Sequence, residues 1–197
     1  MSNGDVSQGR RRFLIGATSV VGGVGVVGAA VPFVASWNPS AKAEAAGAPV
    51  TVNISKIEPG QQITVSWRGK PVWIVRRTDQ MLENIDKLND QVKDPQSEEP
   101  QQPQYIEGAY RAIKPEIAVL VGLCTHLGCV PSYRPEVAPA DLGKDWLGGF
   151  FCPCHGSHYD LAGRVYQAQP APLNLEVPPY RFDDDVTLTI GLDPEAA

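Results

Sequence analysis

Every cysteine and every histidine of this chain falls into one of two short segments. The first box reads Cys-Thr-His-Leu-Gly-Cys over residues 124–129, and the second box reads Cys-Pro-Cys-His-Gly-Ser-His-Tyr over residues 152–159. Structural cysteines and surface histidines would be scattered along the chain instead. One thiolate and one imidazole from each box would provide four ligands for a metal centre. By count alone, a zinc site with cysteine and histidine ligands or an iron–sulfur cluster held by all four cysteines is also possible.

Both boxes resemble, as written, those of the Rieske family, in which two cysteines bind one iron of a [2Fe–2S] cluster and two histidines bind the other. The resemblance is strong over about residues 120–177 and looser in the flanking segments. Carried over position by position, it implies that Cys124 and Cys152 bind one iron. It implies likewise that His126 and His155 bind the other iron.

The remaining two cysteines separate the branches of that family. Cys129 and Cys154 stand at positions that form a disulfide between the two loops in quinol-oxidising complexes, and that oxygenase and ferredoxin members generally lack. The resemblance therefore implies a Cys129–Cys154 disulfide, which can persist in an oxidising compartment. Ser157 and Tyr159 match positions whose hydroxyl groups hydrogen-bond to cluster sulfurs, so both are expected to contribute to cofactor binding.

A Pro-Ala-Pro sequence follows the second box at residues 170–172 and resembles the loop that covers the cluster in this family. The residue before it is Gln169, where the family pattern has glycine. The resemblance therefore does not imply the family's detailed geometry for the start of this loop. Leu127 is expected near the ligand histidines and the quinol site. His158 is expected to be an exposed bystander.

The overall composition favours a β-rich globular domain. The 197 residues include 19 glycines and 18 prolines, which is typical of β-structure with many turns. A formal net charge of -5 argues against nucleic acid as a partner. With the resemblance, this predicts a mainly β protein whose antiparallel β Rieske domain occupies residues 48–197, with an inserted cluster-binding subdomain at about residues 118–177.

The N-terminal region predicts a membrane anchor. Residues 10–12 are three arginines, and residues 13–35 form an uncharged stretch long enough to cross a bilayer as a transmembrane helix. By the positive-inside rule, residues 1–12 are expected in the cytoplasm, and the domain after the span on the periplasmic side of the inner membrane. Residues 36–47 show no apolar periodicity and are predicted to be a flexible linker.

The arginines also resemble a twin-arginine export signal, with Arg10 and Arg11 as the pair. Such a signal suits a domain that is exported already folded around its cofactor. Ala41 and Ala43, on either side of Lys42, offer a small-residue cleavage site, whereas the length of the apolar stretch favours retention as an anchor. Gly25 and Ala29 form a small-xxx-small pair that could pack on another membrane helix.

Apolar periodicity predicts the elements around the boxes. A helix is predicted at residues 79–92, followed by an exposed loop at residues 93–104. Strands are predicted at residues 50–54, 63–67, 72–75 and 117–121, with two more between residues 177 and 190 that turn at three aspartates.

The anchor, the linker and the disulfide-type boxes together resemble the Rieske subunits of bacterial cytochrome bc complexes. The resemblance implies an oxidoreductase subunit that takes an electron and a proton from ubiquinol on the cytochrome b subunit and passes the electron to a c-type cytochrome, within a dimeric complex. His155 and His126 would then be the catalytic residues, because an exposed imidazole nitrogen accepts the hydrogen bond of the quinol. Two alternatives are the Rieske small subunit of an exported molybdenum oxidoreductase such as arsenite oxidase, and a zinc-stabilised structural module of the cell envelope.

Overall fold

The computed structural model describes residues 7–194 of the chain. Residues 1–6 of the predicted cytoplasmic segment and residues 195–197 of the predicted Rieske domain lie outside the described residues. The chain divides into two compact units, of which the first ends at Ala45 and the second begins at Ala46. The helices and strands are α1 Gln8–Ala35, α2 Ala41–Gly47, β1 Val50–Asn53, β2 Gln62–Trp67, β3 Lys70–Arg76, α3 Asp79–Lys87, β4 Ile117–Val121, β5 Ser132–Arg134, β6 Gly149–Phe151, β7 His158–Asp160, β8 Tyr180–Phe182 and β9 Thr187–Ile190.

Helix α1 contains the whole of the predicted span. Ser7 caps its N-terminus by accepting a hydrogen bond from the Arg10 N–H at 3.4 Å. None of its side chains is buried within the described structure. At about 1.5 Å per residue, residues 13–35 extend over about 35 Å, more than the hydrocarbon thickness of about 30 Å. Among the described residues, this helix alone is long and apolar enough to cross a membrane.

The predicted linker, residues 36–47, contains the short helix α2. Ser40 precedes this helix and caps its N-terminus, because its hydroxyl accepts from the Ala43 N–H at 3.2 Å and its carbonyl from the Glu44 N–H at 2.9 Å. Alanine, the residue with the highest helix propensity, fills four of the seven helical positions. A helix therefore forms here without the apolar periodicity that would have revealed it in the sequence.

Two three-stranded antiparallel sheets form the base of the second unit. One has the strand order β1-β9-β8 and the other the order β2-β3-β4. In the latter sheet Val72 pairs with Val121 and Ile74 with Val119, and β4 is buried along its whole length. The strands of both sheets match the predicted strands closely, since each long strand carries a clear apolar pattern.

A third antiparallel sheet, with the order β5-β6-β7, carries the two boxes. The first box precedes β5, and the second box begins directly after β6 and ends within β7. Strand β6 approaches β7 so closely that a Cβ on Gly149 would clash with the Tyr159 carbonyl oxygen, so only glycine fits. Trp73 of β3 stacks on Phe150 of β6 with ring centroids 4.8 Å apart, which joins this sheet to the core of the base.

Helix α3 is shorter than predicted: it ends at Lys87 and not at residue 92. The Arg164 guanidinium donates to the Ile85 carbonyl at 2.6 Å and to the Asn89 side-chain oxygen at 2.6 Å. The helix therefore ends where a distant side chain binds a carbonyl of its last turn.

Buried arginines hold the turn that follows β7, residues 161–163, which we call the β7 turn. Arg77 and Arg111 donate to its three carbonyl oxygens at 3.1–3.4 Å. Arg164 pairs with Asp160 at 2.7 Å, and both side chains are fully buried. Burial lowers the pKa of Arg77 and of Arg111 to about 10, so both remain charged at neutral pH.

Candidate metal centre

The two boxes fold into loops with the same hydrogen-bond pattern. In each loop the N–H of the first cysteine donates to the carbonyl five residues ahead, and its own carbonyl accepts from a glycine N–H four residues ahead. Both glycines are left-handed, with φ of 77° at Gly128 and 76° at Gly156, which glycine adopts without a steric penalty. In the first loop the Cys124 N–H donates to the Cys129 carbonyl at 2.7 Å, and the Gly128 N–H donates to the Cys124 carbonyl at 2.9 Å. In the second loop the Cys152 N–H donates to the Ser157 carbonyl at 2.8 Å, and the Gly156 N–H donates to the Cys152 carbonyl at 3.0 Å.

The disulfide expected between Cys129 and Cys154 is present and joins the two loops. The Cα atoms of the two cysteines are 6.7 Å apart, and 25 residues separate them in the chain. The Sγ atom of Cys152 lies within 4.8 Å of both bridged sulfurs. These three sulfurs are not a metal-ligand set, since two of them are bonded to each other.

The remaining two cysteines are buried, and two of the histidines face each other. Cys124 and Cys152 are free thiols that are 3% and 1% exposed. The imidazole rings of His126 and His155 meet edge to face with centroids 4.7 Å apart. Within residues 7–194, the buried Nδ1 of His126 has no hydrogen-bond partner. Since binding a metal would satisfy such a nitrogen, these four residues fit a cluster with cysteine ligands on one iron and histidine ligands on the other.

Hydrogen bonds distinguish the two free thiols. Burial acts to raise the pKa of both, because a thiolate is poorly solvated in the interior. At Cys124 hydrogen bonds from the Tyr159 hydroxyl and neighbouring groups outweigh burial, and the pKa lies below its ordinary value. At Cys152 burial dominates, and the pKa lies above its ordinary value.

Tyr159 is fully buried in β7, and its hydroxyl oxygen lies 3.2 Å from the Sγ of Cys124. Burial raises the pKa of Tyr159 well above its ordinary value, so the hydroxyl keeps its proton. The Thr125 N–H donates to this hydroxyl at 3.1 Å, and Thr125 Oγ1 lies 3.1 Å from it. Thr125 Oγ1 donates its own proton to the Leu173 carbonyl at 2.6 Å. Thr125 is therefore a site residue that the sequence motifs did not single out.

The Pro-Ala-Pro segment lies against the second box, and we call residues 169–173 the proline loop. Ser157 is fully buried, and its Oγ accepts a hydrogen bond from the Ala171 N–H at 3.1 Å. Gln169 Oε1 accepts a hydrogen bond from the His158 N–H at 3.2 Å. The loop is thus bonded to two successive residues of the second box.

His158 is half-buried, so the expectation that it is exposed is wrong, whereas its place outside the ligand set stays a prediction. Its ring packs among the aromatic side chains of Trp146, Phe151 and Tyr166, with centroid separations of 5.5, 5.3 and 6.0 Å. Leu127 is 71% exposed and presents an apolar side chain to solvent next to a candidate ligand.

Two protein-family models match the chain. One, described as "Rieske [2Fe-2S] domain", matches residues 48–180, which is more than half of the 197 residues. The chain belongs to the Rieske family. The other, described as "Ubiquitinol-cytochrome C reductase Fe-S subunit TAT signal", matches residues 1–40 of this Rieske protein. This match agrees with the twin-arginine pair expected at Arg10 and Arg11.

Curated Rieske proteins are similar over nearly the whole chain. The "Ubiquinol-cytochrome c reductase iron-sulfur subunit" of Allochromatium vinosum is 56% identical over 193 residues, which cover 98% of this chain and 93% of the relative. The protein of the same name from Rhodospirillum rubrum is 46% identical, with 92% and 91% covered. The "Cytochrome b-c1 complex subunit Rieske, mitochondrial" of Candida albicans is 38% identical, with 96% and 81% covered.

These similarities confirm several predictions about this Rieske protein. The family and the [2Fe–2S] domain type are as predicted. The same holds for the antiparallel β domain after an N-terminal apolar helix, and for the class of oxidoreductase subunit. The relatives are named as subunits of ubiquinol–cytochrome c reductase or of the cytochrome b-c1 complex, which does not favour the molybdenum-enzyme alternative. A [2Fe–2S] domain does not favour zinc. The individual ligand and hydroxyl-donor assignments stay predictions.

Proposed function

We propose that this chain is the Rieske subunit of a ubiquinol–cytochrome c reductase, in which it takes an electron and a proton from ubiquinol and passes the electron to a c-type cytochrome. The proposal is carried by the arrangement of the boxes, with two buried free thiols, two facing imidazoles and a disulfide that joins the loops. The names of the relatives in Allochromatium vinosum and Rhodospirillum rubrum support it.

Four side chains would hold one [2Fe–2S] cluster. Cys124 and Cys152 would bind one iron through their thiolates, and His126 and His155 would bind the other through imidazole nitrogens. When bound, the cluster supplies a one-electron acceptor. The protein's part is to keep the two loops together through the disulfide and to exclude water from the buried thiols.

The exposed side of the site would receive the quinol. His155 is exposed, whereas His126 is half-buried with its Nδ1 enclosed. An imidazole that binds iron through one nitrogen has one nitrogen left, so His155 is available to accept the hydrogen bond of the quinol hydroxyl and then its proton. The exposed Leu127 would offer an apolar contact to the quinol or to the cytochrome b subunit. The buried hydroxyls of Ser157 and Tyr159 would donate to cluster sulfurs.

We infer that α1 anchors the chain in the inner membrane, with residues 1–12 in the cytoplasm and the second unit in the periplasm. Three arginines before an uncharged span support this orientation. The second unit would move on residues 36–47 between the cytochrome b subunit and the c-type cytochrome of a dimeric complex. N-terminal sequencing of the membrane-purified protein should begin at residue 1 or 2. A start near Glu44 would mean that the span is cleaved and would contradict the anchor.

Substitution of the proposed ligands tests this function. The complex purified from membranes should show a Rieske electron paramagnetic resonance spectrum and support cytochrome c reduction by ubiquinol. His158→Ala changes a histidine of the same box and should keep the spectrum. A native spectrum in a ligand variant, or a colourless wild type that contains zinc, would refute the proposal. The variants expected to lose both spectrum and activity are Cys124→Ser, Cys152→Ser, His126→Ala and His155→Ala.

A further inference from the structure

Gln169 begins the proline loop at the position where the Rieske pattern has glycine. Glycine has no side chain to offer, whereas Gln169 reaches the second box. Its Oε1 accepts a hydrogen bond from the His158 N–H at 3.2 Å and lies 3.2 Å from the His158 Nδ1. The start of the loop is therefore held by a contact that glycine could not make.

The partners of the Gln169 amide determine which way it points. A backbone N–H can only donate, so the amide oxygen and not the NH2 group must face His158. The NH2 group then lies 3.5 Å from the Gln167 carbonyl, which can only accept. With the amide oxygen as acceptor, His158 Nδ1 can join the contact only as a donor. The backbone N–H and the ring Nδ1 of His158 are thus both directed at one oxygen of Gln169.

Two hydrogen bonds connect the proline loop to successive residues of the second box. One joins Gln169 to His158, and the other joins the Ala171 N–H to Ser157 Oγ at 3.1 Å. The prolines on either side of Ala171 have no N–H, so Ala171 supplies the backbone donor of the Pro-Ala-Pro segment. Because this N–H occupies a lone pair of the Ser157 hydroxyl, the hydroxyl proton is left for another acceptor.

We propose that Gln169 is a positioning residue: its contact with His158 keeps the Ala171 N–H on Ser157 Oγ, and so keeps the Ser157 proton directed at a cluster sulfur. This inference rests on the proposed function, because it needs a [2Fe–2S] cluster between the boxes. A donor to a sulfur stabilises the reduced state more than the oxidised state, since reduction adds negative charge. Loss of the Gln169 contact should therefore weaken the electron affinity of the site.

Two glutamines of one segment allow a matched test in the full-length protein purified from membranes. Gln169→Met keeps the side-chain length and removes the acceptor. Gln167→Met is the control, because the Gln167 amide donates to the carbonyls of Asp90 and Val92 at 3.1 and 3.3 Å. The midpoint potential is measured by a redox titration followed by electron paramagnetic resonance, and the protection of the Ala171 N–H by hydrogen exchange.

Gln169→Met should lower the equilibrium constant for reduction about threefold. Since a tenfold change corresponds to about 59 mV for one electron, the midpoint potential should fall by about 28 mV. It should also speed exchange of the Ala171 N–H about threefold or more, in keeping with a loop that opens more often. Gln167→Met should change neither quantity. Gln169→Glu retains an acceptor of the same length and should keep the exchange slow.

An unchanged midpoint in Gln169→Met would overturn the proposal, even if exchange became faster, because the contact would then be structural only. An equal fall of the midpoint in Gln167→Met would overturn it as well. Failure of the proposed function would look different, since the wild type itself would then lack the Rieske spectrum, and Gln169 would have no cluster to influence.

Discussion

Removing the Tyr159 hydroxyl should lower the midpoint potential of the cluster and leave the cluster assembled. Tyr159→Phe deletes one oxygen, which lies 3.2 Å from the Sγ of Cys124 on a fully buried side chain. Water cannot readily replace the lost hydrogen bond at a buried position. Reduction adds negative charge to the cluster sulfurs and thiolates, so a donor at this place stabilises the reduced state more than the oxidised state.

The neighbours of the hydroxyl set the size of the expected change. Its proton can bond Cys124 Sγ or Thr125 Oγ1, while the proton of Thr125 is already donated to Leu173. The negative thiolate is the stronger acceptor of the two. A hydrogen bond to a charged group contributes about 1.5–3 kcal/mol, of which we take about 1–2 kcal/mol as the difference between redox states. A tenfold change in the equilibrium constant for reduction corresponds to about 1.4 kcal/mol and to about 59 mV for one electron. The midpoint potential should therefore fall by about 40–90 mV.

A redox titration at one fixed pH, followed by electron paramagnetic resonance, measures this shift. Tyr166→Phe is the matched control, because it also removes a buried tyrosine oxygen, and that oxygen has no hydrogen-bond partner within the described part of the chain. The control should titrate like the wild type. In Tyr159→Phe quinol oxidation should also slow, because the acceptor is weaker. A midpoint that stays unchanged or rises, with the cluster intact, would refute the assignment of this hydroxyl as a donor to the cluster.

Three further changes should have measurable effects. Ser157→Ala should lower the midpoint by about 40–90 mV and free the Ala171 N–H, and an unchanged midpoint would contradict its role as a donor. Cys129→Ser opens the bridge and should shorten the lifetime of the spectrum in stored protein, whereas an equal lifetime would argue against a protective disulfide. Asp160→Asn leaves the buried Arg164 without a counter-charge, so unfolding experiments should show a loss of about 3–5 kcal/mol, and an unchanged Tm would count against that estimate.

Element length and turn residues together decide how much of this fold can be predicted from sequence patterns. Strands β2, β3 and β4 have six, seven and five residues, enough for an apolar pattern to identify them. Strands β5, β6 and β7 have three residues each, too few to show a period, and they depend on contacts such as the approach of Gly149 to the Tyr159 carbonyl. Helix α3 ends before the predicted residue 92, and in its last turn Arg164 donates to the Ile85 carbonyl from 79 residues away, a contact that no local pattern shows.

The candidate site could be predicted where its chemistry lies within the boxes. The cysteines and histidines indicated a metal centre by type and spacing, and the family resemblance indicated the disulfide pairing. The supporting contacts could not be predicted in this way. Thr125 lies inside the first box, yet it bonds Leu173, which is 48 residues away. Lys93 donates to the Pro172 carbonyl at 2.8 Å from 79 residues away. Contacts between single polar groups at such distances leave no periodic pattern in the sequence.

The buried charges next to β7 explain how the fold can hold a hydroxyl donor in one place. A buried guanidinium is stabilised where its donors find acceptors. Arg77 and Arg111 donate to the carbonyls of the β7 turn, and Arg164 pairs with Asp160 at the start of that turn. A shift of the turn would leave these donors unpaired at a cost of about 1–3 kcal/mol each. Since β7 carries Tyr159 and leads directly into the turn, the position of the Tyr159 hydroxyl is restrained by charges that lie outside both boxes. Distance from the boxes is therefore a poor guide to which residues control the chemistry of the site.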